Sequence, residues 1–534
     1  MRSSLFLLFL IVFVEVQGLE LKNEPLRILV NSPSLGYSHL QFQGKLADLL
    51  VEAGHSVDVF NGHWIPFEDR TGTEKANFYA TTPTRYHELD FFQNPFQNED
   101  VKLDAADRSL PYQNTTLQFC IDIVNHPTMI KQLKSKNYDV FIGEMFDPCM
   151  FYVAELIGVR VKIVSSAISI PDEIAFAHGI PVDRSYIPSV FASSADVPTL
   201  SWKERAINLI IDIYYPQLLG GLTQKMHDFV QEKYKTTLPS FRSLLRSSSY
   251  VFVNVHDHFD HPSPVTRKIQ YIGGIAIKQP SQEQQPNIET IFKQASKGVI
   301  LISMGSIVDS HLMPLQLKQS FIHAFAQFPQ LNVIWRFQPG PNDTALFAQA
   351  PNVFTVKWMD QTSILSDKRT KLFISHCGQN SAMEAAYSGT PVLALPLFAD
   401  QNYNAALLTR RGMAIYQNVK EVTTELLVEK IAKLLNDETY QKNGEKLSRK
   451  LQDEPFKPSE RFVKLVEYSA RHVDGRELEL YVTELNFIIR NNLDIYLPLF
   501  ASIILTLYVF IKAVQFLIRV SVYLLSLRQK SKSE

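Results

Sequence analysis

Phe373-Ile374-Ser375-His376-Cys377-Gly378-Gln379-Asn380-Ser381-Ala382-Met383-Glu384-Ala385-Ala386 reads as a strand, a glycine turn and the start of a helix. Such a turn at the end of a strand is an anion site, because unpaired backbone N–H groups and the positive end of the helix dipole attract phosphate. His376, Asn380 and Ser381 add side-chain donors, and Gly378 allows a ligand close to the backbone. Glu384 stands one helical turn beyond Asn380, where a carboxylate would repel phosphate but accept hydrogen bonds from a ribose diol. The stretch suits a nucleotide diphosphate.

Outward from it, short β-rich runs alternate with helical stretches, the rhythm of parallel sheets covered by helices. The alternation occurs twice, with runs at 27–30, 56–60, 138–142, 161–164 and 250–253, then at 299–302, 332–335, 371–374 and 391–395. Between the two series, residues 278–286 are polar, contain two prolines and lack periodicity, as a linker does. The expected fold class is α/β: one doubly wound domain over 19–277, a linker over 278–290, and a second domain over 291–475. Ligands of such sheets sit beyond the carboxyl ends of the strands, so two facing domains share one cleft.

Composition narrows the function. The 534 residues carry 53 Lys and Arg against 54 Asp and Glu, a net charge of −1, which argues against a nucleic-acid partner. With 46% hydrophobic and 20% charged residues the chain buries sizeable cores rather than remaining disordered. Three cysteines, Cys120, Cys149 and Cys377, are too few for a disulfide framework. Cys120 and Cys149 are free to pair in an oxidising compartment, but sequence does not measure their separation.

Both ends of the chain point to a membrane. Residues 1–18 have a basic start, an apolar run and small side chains at Val16 and Gly18, as in a cleaved signal peptide; an uncleaved anchor is the alternative. Residues 495–511 are uncharged and just long enough to span as a transmembrane helix, after a connector over 476–494. The tail, 512–534, holds Lys512, Arg519, Arg528, Lys530 and Lys532, which marks the cytoplasmic side and puts everything before the span in the lumen. Residues 513–527 are apolar but interrupted by Arg519, so they are expected to lie along the bilayer surface rather than cross it again. Lys530 and Lys532 resemble an endoplasmic-reticulum return signal, or are ordinary flanking lysines. Asn114 and Asn342 head glycosylation sequons.

Two further stretches carry ligand chemistry. Asp400 and Gln401, after the run at 391–395, offer mixed acceptors and donors suited to sugar hydroxyls. Trp358 and Gln361 place an aromatic plane and an amide three residues apart, so that a base could stack on one and bond the other.

With these residues in view, 376–401 resembles the signature of the UDP-glycosyltransferase family, and nearly the whole chain resembles its membrane-bound animal UDP-glucuronosyltransferase branch. The resemblance implies a GT-B-type architecture: two facing Rossmann-like domains, the first for an acceptor and the second for a UDP-sugar. It also implies a uracil stacked on Trp358 with Gln361 beside it, ribose on Glu384, and a diphosphate held by His376, Asn380, Ser381 and Ser306. Asp400 and Gln401 would hold the sugar, and Cys377 stands where many members have glycine. No metal or cofactor is implied, the UDP-sugar being a co-substrate.

Deprotonating an acceptor hydroxyl needs a base, and histidine suits that task. His39, in Ser34-Leu35-Gly36-Tyr37-Ser38-His39 between the first strand and its helix, resembles the family's catalytic histidine. An oriented imidazole usually needs a carboxylate partner. The family supplies an aspartate after the strand ending Val140-Phe141-Ile142-Gly143, but this chain has Glu144 there, with Asp147 as the competitor or as a helix cap.

Other features are weaker. His256, His258 and His261 have zinc-ligating chemistry but read better as a solvated loop, and Trp335-Arg336 reads as a core tryptophan and a surface arginine near the donor site. Residues 62–116 and 202–234 are expected to shape the acceptor pocket, where Trp64, Phe67, Phe78 and Tyr79 favour an apolar ligand or simply fill the core. The competing functional class is a catalytically silent, membrane-anchored nucleotide-sugar binder or assembly partner, and homo- or hetero-oligomers stay open. A dinucleotide oxidoreductase is disfavoured by the lack of Gly-x-Gly-x-x-Gly after the first strand.

Overall fold

Aliphatic and β-branched runs long enough for a strand, with both faces covered by helices, become central strands of parallel sheets. In the computed structural model, which describes residues 24–530 apart from 34–35, 63–69, 82–94, 98–104, 127, 192–199, 279–280, 282–283, 309, 341–342 and 474, there are two such sheets. Residues 1–18, Trp64, Phe67, Asn342 and Lys532 therefore lie outside the described residues. The first sheet holds Arg27–Asn31 (β1), Ser56–Asn61 (β2), Asn77–Ala80 (β3), Val140–Glu144 (β4), Val161–Ser166 (β5), Val251–Val253 (β6) and Ile269–Tyr271 (β7), ordered β3-β2-β1-β4-β5-β6-β7. The second holds Val299–Ser303 (β8), Asn332–Arg336 (β9), Val353–Val356 (β10), Thr370–Ser375 (β11), Val392–Ala394 (β12) and Ala414–Tyr416 (β13), ordered β10-β9-β8-β11-β12-β13.

In each sheet the winding reverses once. The reversal falls between β1 and β4, registered Ile28 to Val140 and Val30 to Ile142, and between β8 and β11, registered Phe373 to Leu301 and Ser375 to Ser303. A crevice opens at the carboxyl ends of strands at such a switch point. Five helices concern the site: Tyr37–Glu52 (α1), Pro148–Leu156 (α2), Gln361–Ser366 (α3), Gln379–Ser388 (α4) and Gln401–Arg410 (α5). Of these, α1 follows β1, α2 follows β4 and α4 follows β11, so both crevices are lined by helix N-termini.

Helix α1 buries Phe42, Leu46 and Leu50, spaced four apart on one face, against β1, β2 and β4. The same core receives Phe462 and Val466 from Pro458–Arg471 (α6), the Phe462 ring meeting Phe252 edge-on at 4.9 Å. The chain therefore returns to the first sheet within the segment expected to belong wholly to the second domain. The linker is also shorter than expected, since residues 286–290 lie in the helix Pro286–Gln294, started by proline at its first turn. It is tied down as well, with Ser281 N–H and Gln284 Nε2 donating to Ser363 at 2.8 Å each.

Cys120 and Cys149 are disulfide-bonded, joining the helix Ala105–Asn125 to α2. Asn114 is exposed on that helix.

Residues up to Glu479 make one compact unit and those from Leu480 onward another. The second unit is dominated by Leu493–Lys530 (α7), a helix long and apolar enough to cross a membrane. It runs unbroken through Lys512 and Arg519, so the expected span and the segment after it are one continuous helix. At about 1.5 Å per residue its 38 residues exceed the ~30 Å hydrocarbon core.

Phe462→Ala tests the return of the chain to the first sheet. A fully buried ring lost without repacking costs about 3–5 kcal/mol, read as a lowered urea midpoint. An unchanged midpoint would show that α6 is not anchored there.

Candidate functional site

The first crevice is organised by a buried carboxylate. Glu144 ends β4 with no solvent exposure, and its Oε1 lies 2.8 Å from His39 Nδ1 in the first turn of α1. The same oxygen accepts the Ala167 N–H at 3.1 Å, while Oε2 accepts Gln43 Nε2 at 2.9 Å. The carboxylate selects the tautomer whose Nδ1–H donates to it, which leaves a lone pair on His39 Nε2. Burial lowers the His39 pKa, but the charge and hydrogen bond of Glu144, with the charge of Asp400, outweigh it and hold the value above normal.

Asp147 has a different task. It caps α2 by accepting the Met150 N–H at 3.4 Å and receives Asn31 Nδ2 at 3.1 Å, and burial pushes its pKa up to about 7. Of the two acids, the geometry pairs Glu144 with the imidazole. The longer side chain still reaches because Gln43 and Ala167 hold its far end in place.

The second crevice is built on the β11–α4 turn. Gly378 caps α4 and brings no side chain of its own, while the Asp400 carboxylate accepts the Gln379 N–H at the helix start. His376 is buried, and burial lowers its pKa to about 4, so it is neutral; its Nδ1 has no hydrogen-bond partner among the described residues. Two glycines make room for this ring: a Cβ on Gly305 or Gly378 would fall 2.4 or 2.6 Å from His376 Nε2. Cys377 has φ +62°, a left-handed conformation that glycine adopts most easily, which gives a physical reason for glycine at this position. Its thiol is fully buried against Ser375. Ser306 is half-buried in the turn after Gly305.

Beside α4, Glu384, Gln361 and Ser381 bond one another. Glu384 accepts Gln361 Nε2 and, at 2.9 Å, the Thr362 hydroxyl, and burial pushes its pKa up to about 7. Gln361 Nε2 also reaches Ser381 Oγ at 3.0 Å. Trp358 is 38% exposed, meets the Tyr37 ring edge-on at 5.2 Å, and carries the guanidinium groups of Arg70 at 3.6 Å and Arg336 at 4.6 Å. Asp400 is buried, accepts Asn404 Nδ2 at 2.7 Å, and is close enough for its charge to act on His39. The two crevices thus face each other.

Several expectations change. Asn380 bridges the halves: Oδ1 accepts Asn254 Nδ2 at 2.9 Å and Nδ2 donates to Ser38 O at 3.4 Å, which commits one of its two N–H groups to protein. Gln401 Oε1 accepts the Leu397 and Phe398 N–H groups, leaving only its amide nitrogen for a ligand. Arg336 is no surface residue; it donates to Gly305 O, and burial together with the Arg70 charge lowers its pKa to about 10. The 256–261 loop is solvated only at Asp257 and His258. His256 and His261 are each 3% exposed and burial lowers their pKa values, while Arg411 donates to His258 O and Asp260 O. No cluster among the described residues has the makings of a metal site.

Phe78 packs on the core and Tyr79 reaches Lys136, whereas Phe146 sits edge-on to His39 at 5.6 Å with Phe191 behind it at 6.5 Å. Gln43 was legible in principle, lying four residues after His39 on the same helix face. Arg70, Phe146 and Phe191 carry no local motif.

A family model described as UDP-glucuronosyl and UDP-glucosyl transferase matches residues 33–526. The chain is 27% identical over 508 residues to a putative UDP-glucuronosyltransferase of Caenorhabditis elegans, ugt-47, covering 93% of each. It is 25% identical over 505 residues to human UDP-glucuronosyltransferase 2B17, covering 90% of this chain and 92% of that protein. Among solved structures, a UDP-glucosyltransferase from Polygonum tinctorium described as capable of glucosylating indoxyl aligns with TM-score 0.57 at 16% identity, over 84% of this chain and 99% of that one. At that identity the likeness is one of fold, the GT-B pair of parallel sheets.

Gly305→Ala probes the second crevice. With φ +84° and His376 in the way, the new methyl adds about 1–3 kcal/mol of strain. UDP affinity measured by calorimetry is expected to fall about tenfold or more; unchanged affinity would separate this turn from the nucleotide.

Proposed function

The chain belongs to the UDP-glucuronosyl and UDP-glucosyl transferase family and is a UDP-glycosyltransferase, and we propose that its transfer is inverting, with His39 as general base. A hexosyl group, glucuronosyl or glucosyl, passes from a UDP-sugar to the hydroxyl of a small lipophilic acceptor. His39 Nε2 takes the hydroxyl proton, the oxygen attacks the anomeric carbon, and the bond to UDP breaks on the opposite side. Negative charge on the departing diphosphate is met by the N-terminus of α4.

The observation that carries this reading is the His39–Glu144 pair at 2.8 Å, set across from Asp400 and the N-terminus of α4. Phe146 and Phe191 beside the imidazole favour an apolar acceptor. An intact base with an acidic partner also speaks against the silent-binder alternative. The UDP-sugar is a co-substrate, and the chemistry assigned to these residues routes no step through a metal.

We place the protein in the endoplasmic reticulum as a single-pass type I membrane protein, on the strength of α7 and the basic residues after it. Protease treatment of sealed microsomes is then expected to spare all but a short C-terminal piece; digestion of the large unit would refute that orientation.

Membranes carrying the protein are to be incubated with UDP-glucose or UDP-glucuronate and a panel of phenols, and the products weighed. His39→Ala is expected to lower kcat about 10²- to 10⁴-fold while UDP still binds; undiminished turnover removes His39 from the mechanism. A base works in its neutral form, so the rate climbs with pH through the raised His39 pKa. Glu144→Gln removes the charge and acceptor that raise it, so that limb of the pH–rate profile moves to lower pH as the rate falls.

A further inference from the structure

Asn254, the first residue after β6, is 2% exposed and belongs to no motif. Its Nδ2 donates to two acceptors, Ala167 O at 3.1 Å and Asn380 Oδ1 at 2.9 Å, and its own carbonyl accepts Gln379 Nε2 at 2.7 Å. Ala167 is also the residue whose N–H holds Glu144 Oε1, the oxygen paired with His39. Asn380 in turn donates to Ser38 O, on the residue before His39. The bonds close a circuit that runs from His39 through Glu144, Ala167, Asn254 and Asn380 back to Ser38.

We infer that Asn254 is a positioning residue that sets the distance between the His39 imidazole and the N-terminus of α4. The inference rests on the function proposed above, since distance between those groups matters only if one deprotonates and the other receives the leaving group. Four kinds of structure meet at this one amide: the end of β6, the loop after β5, the first turn of α4 and, through Asn380, the start of α1. A carboxamide is suited to the place because its two N–H groups satisfy two buried oxygens at once. An alanine would leave Ala167 O and Asn380 Oδ1 without that donor and free the Asn380 amide to turn away from Ser38. In-line displacement tolerates little drift: a misplacement of about 1 Å can cost about 10²-fold in rate.

The test uses the full-length chain in membranes, with kcat and KM for the UDP-sugar and the Kd of UDP measured side by side. Asn254→Ala is expected to lower kcat about 10- to 100-fold with UDP affinity changed by less than about threefold, since no nucleotide contact is removed. Asn254→Ser keeps one donor in a smaller volume and is expected to fall between wild type and alanine; it also serves if the alanine variant does not fold, UDP binding reporting the folded state. In a Glu144→Gln background, where the circuit is already weakened, Asn254→Ala is expected to cost much less than in the wild type.

Unchanged kcat in Asn254→Ala, or losses in kcat and UDP affinity that are equal and additive with Glu144→Gln, overturns the inference and leaves the proposed function standing. A wild-type chain that binds UDP but transfers no sugar overturns the proposed function and this inference with it.

Discussion

A carboxylate without solvent is tolerable only when donors surround it, and that condition at Glu144 governs the first half of the site. Its three donors come from two elements: His39 and Gln43 on α1, and the Ala167 N–H on the loop after β5. Moving any of these elements would leave buried charge unpaired, so the carboxylate acts as a spatial reference for the base beside it. Gln43 is itself held, its amide also reaching Ser165 Oγ at 2.8 Å. The tautomer and direction of the imidazole follow from this arrangement.

The second half obeys a steric constraint. His376 fills the space beside two positions that have no room for a Cβ, and the turn leads through a left-handed residue into a helix whose cap has no side chain. Glycine at the cap leaves room for a ligand to approach the start of α4, where the Gln379 N–H is held by Asp400.

The halves are joined by hydrogen bonds from buried or half-buried side chains, two of them involving a charged group. Tyr403 donates to Asp260 Oδ1 at 2.5 Å, Tyr387 to Gly273 O at 3.2 Å, and Arg411 to His258 O at 2.9 Å. Burial raises the Asp260 pKa, and the Tyr403 and Ser169 hydroxyls oppose that shift by hydrogen bonding. Such a seam has direction, because each bond aligns a particular loop of the first half with a particular helix of the second.

Local patterning determined a good deal of this protein. The apolar, β-branched-rich runs of β1, β2, β4, β5, β8, β9, β11 and β12, interrupted at Asp58 and Lys162, announce buried parallel strands, and the glycine turn before α4 announces an anion site, because both depend on neighbours in the chain. The strands β3, β7, β10 and β13 escaped that reading: all four are sheet edges, short and mostly half-covered, so they lack such a run. Tertiary structure alone decided that Glu144 rather than Asp147 meets His39, that Asn380 bridges the halves, that His256 and His261 are buried, and that α6 returns to the first sheet. Each of those outcomes joins residues far apart in the chain, and which buried polar group finds which partner depends on distances that spacing along a sequence does not encode.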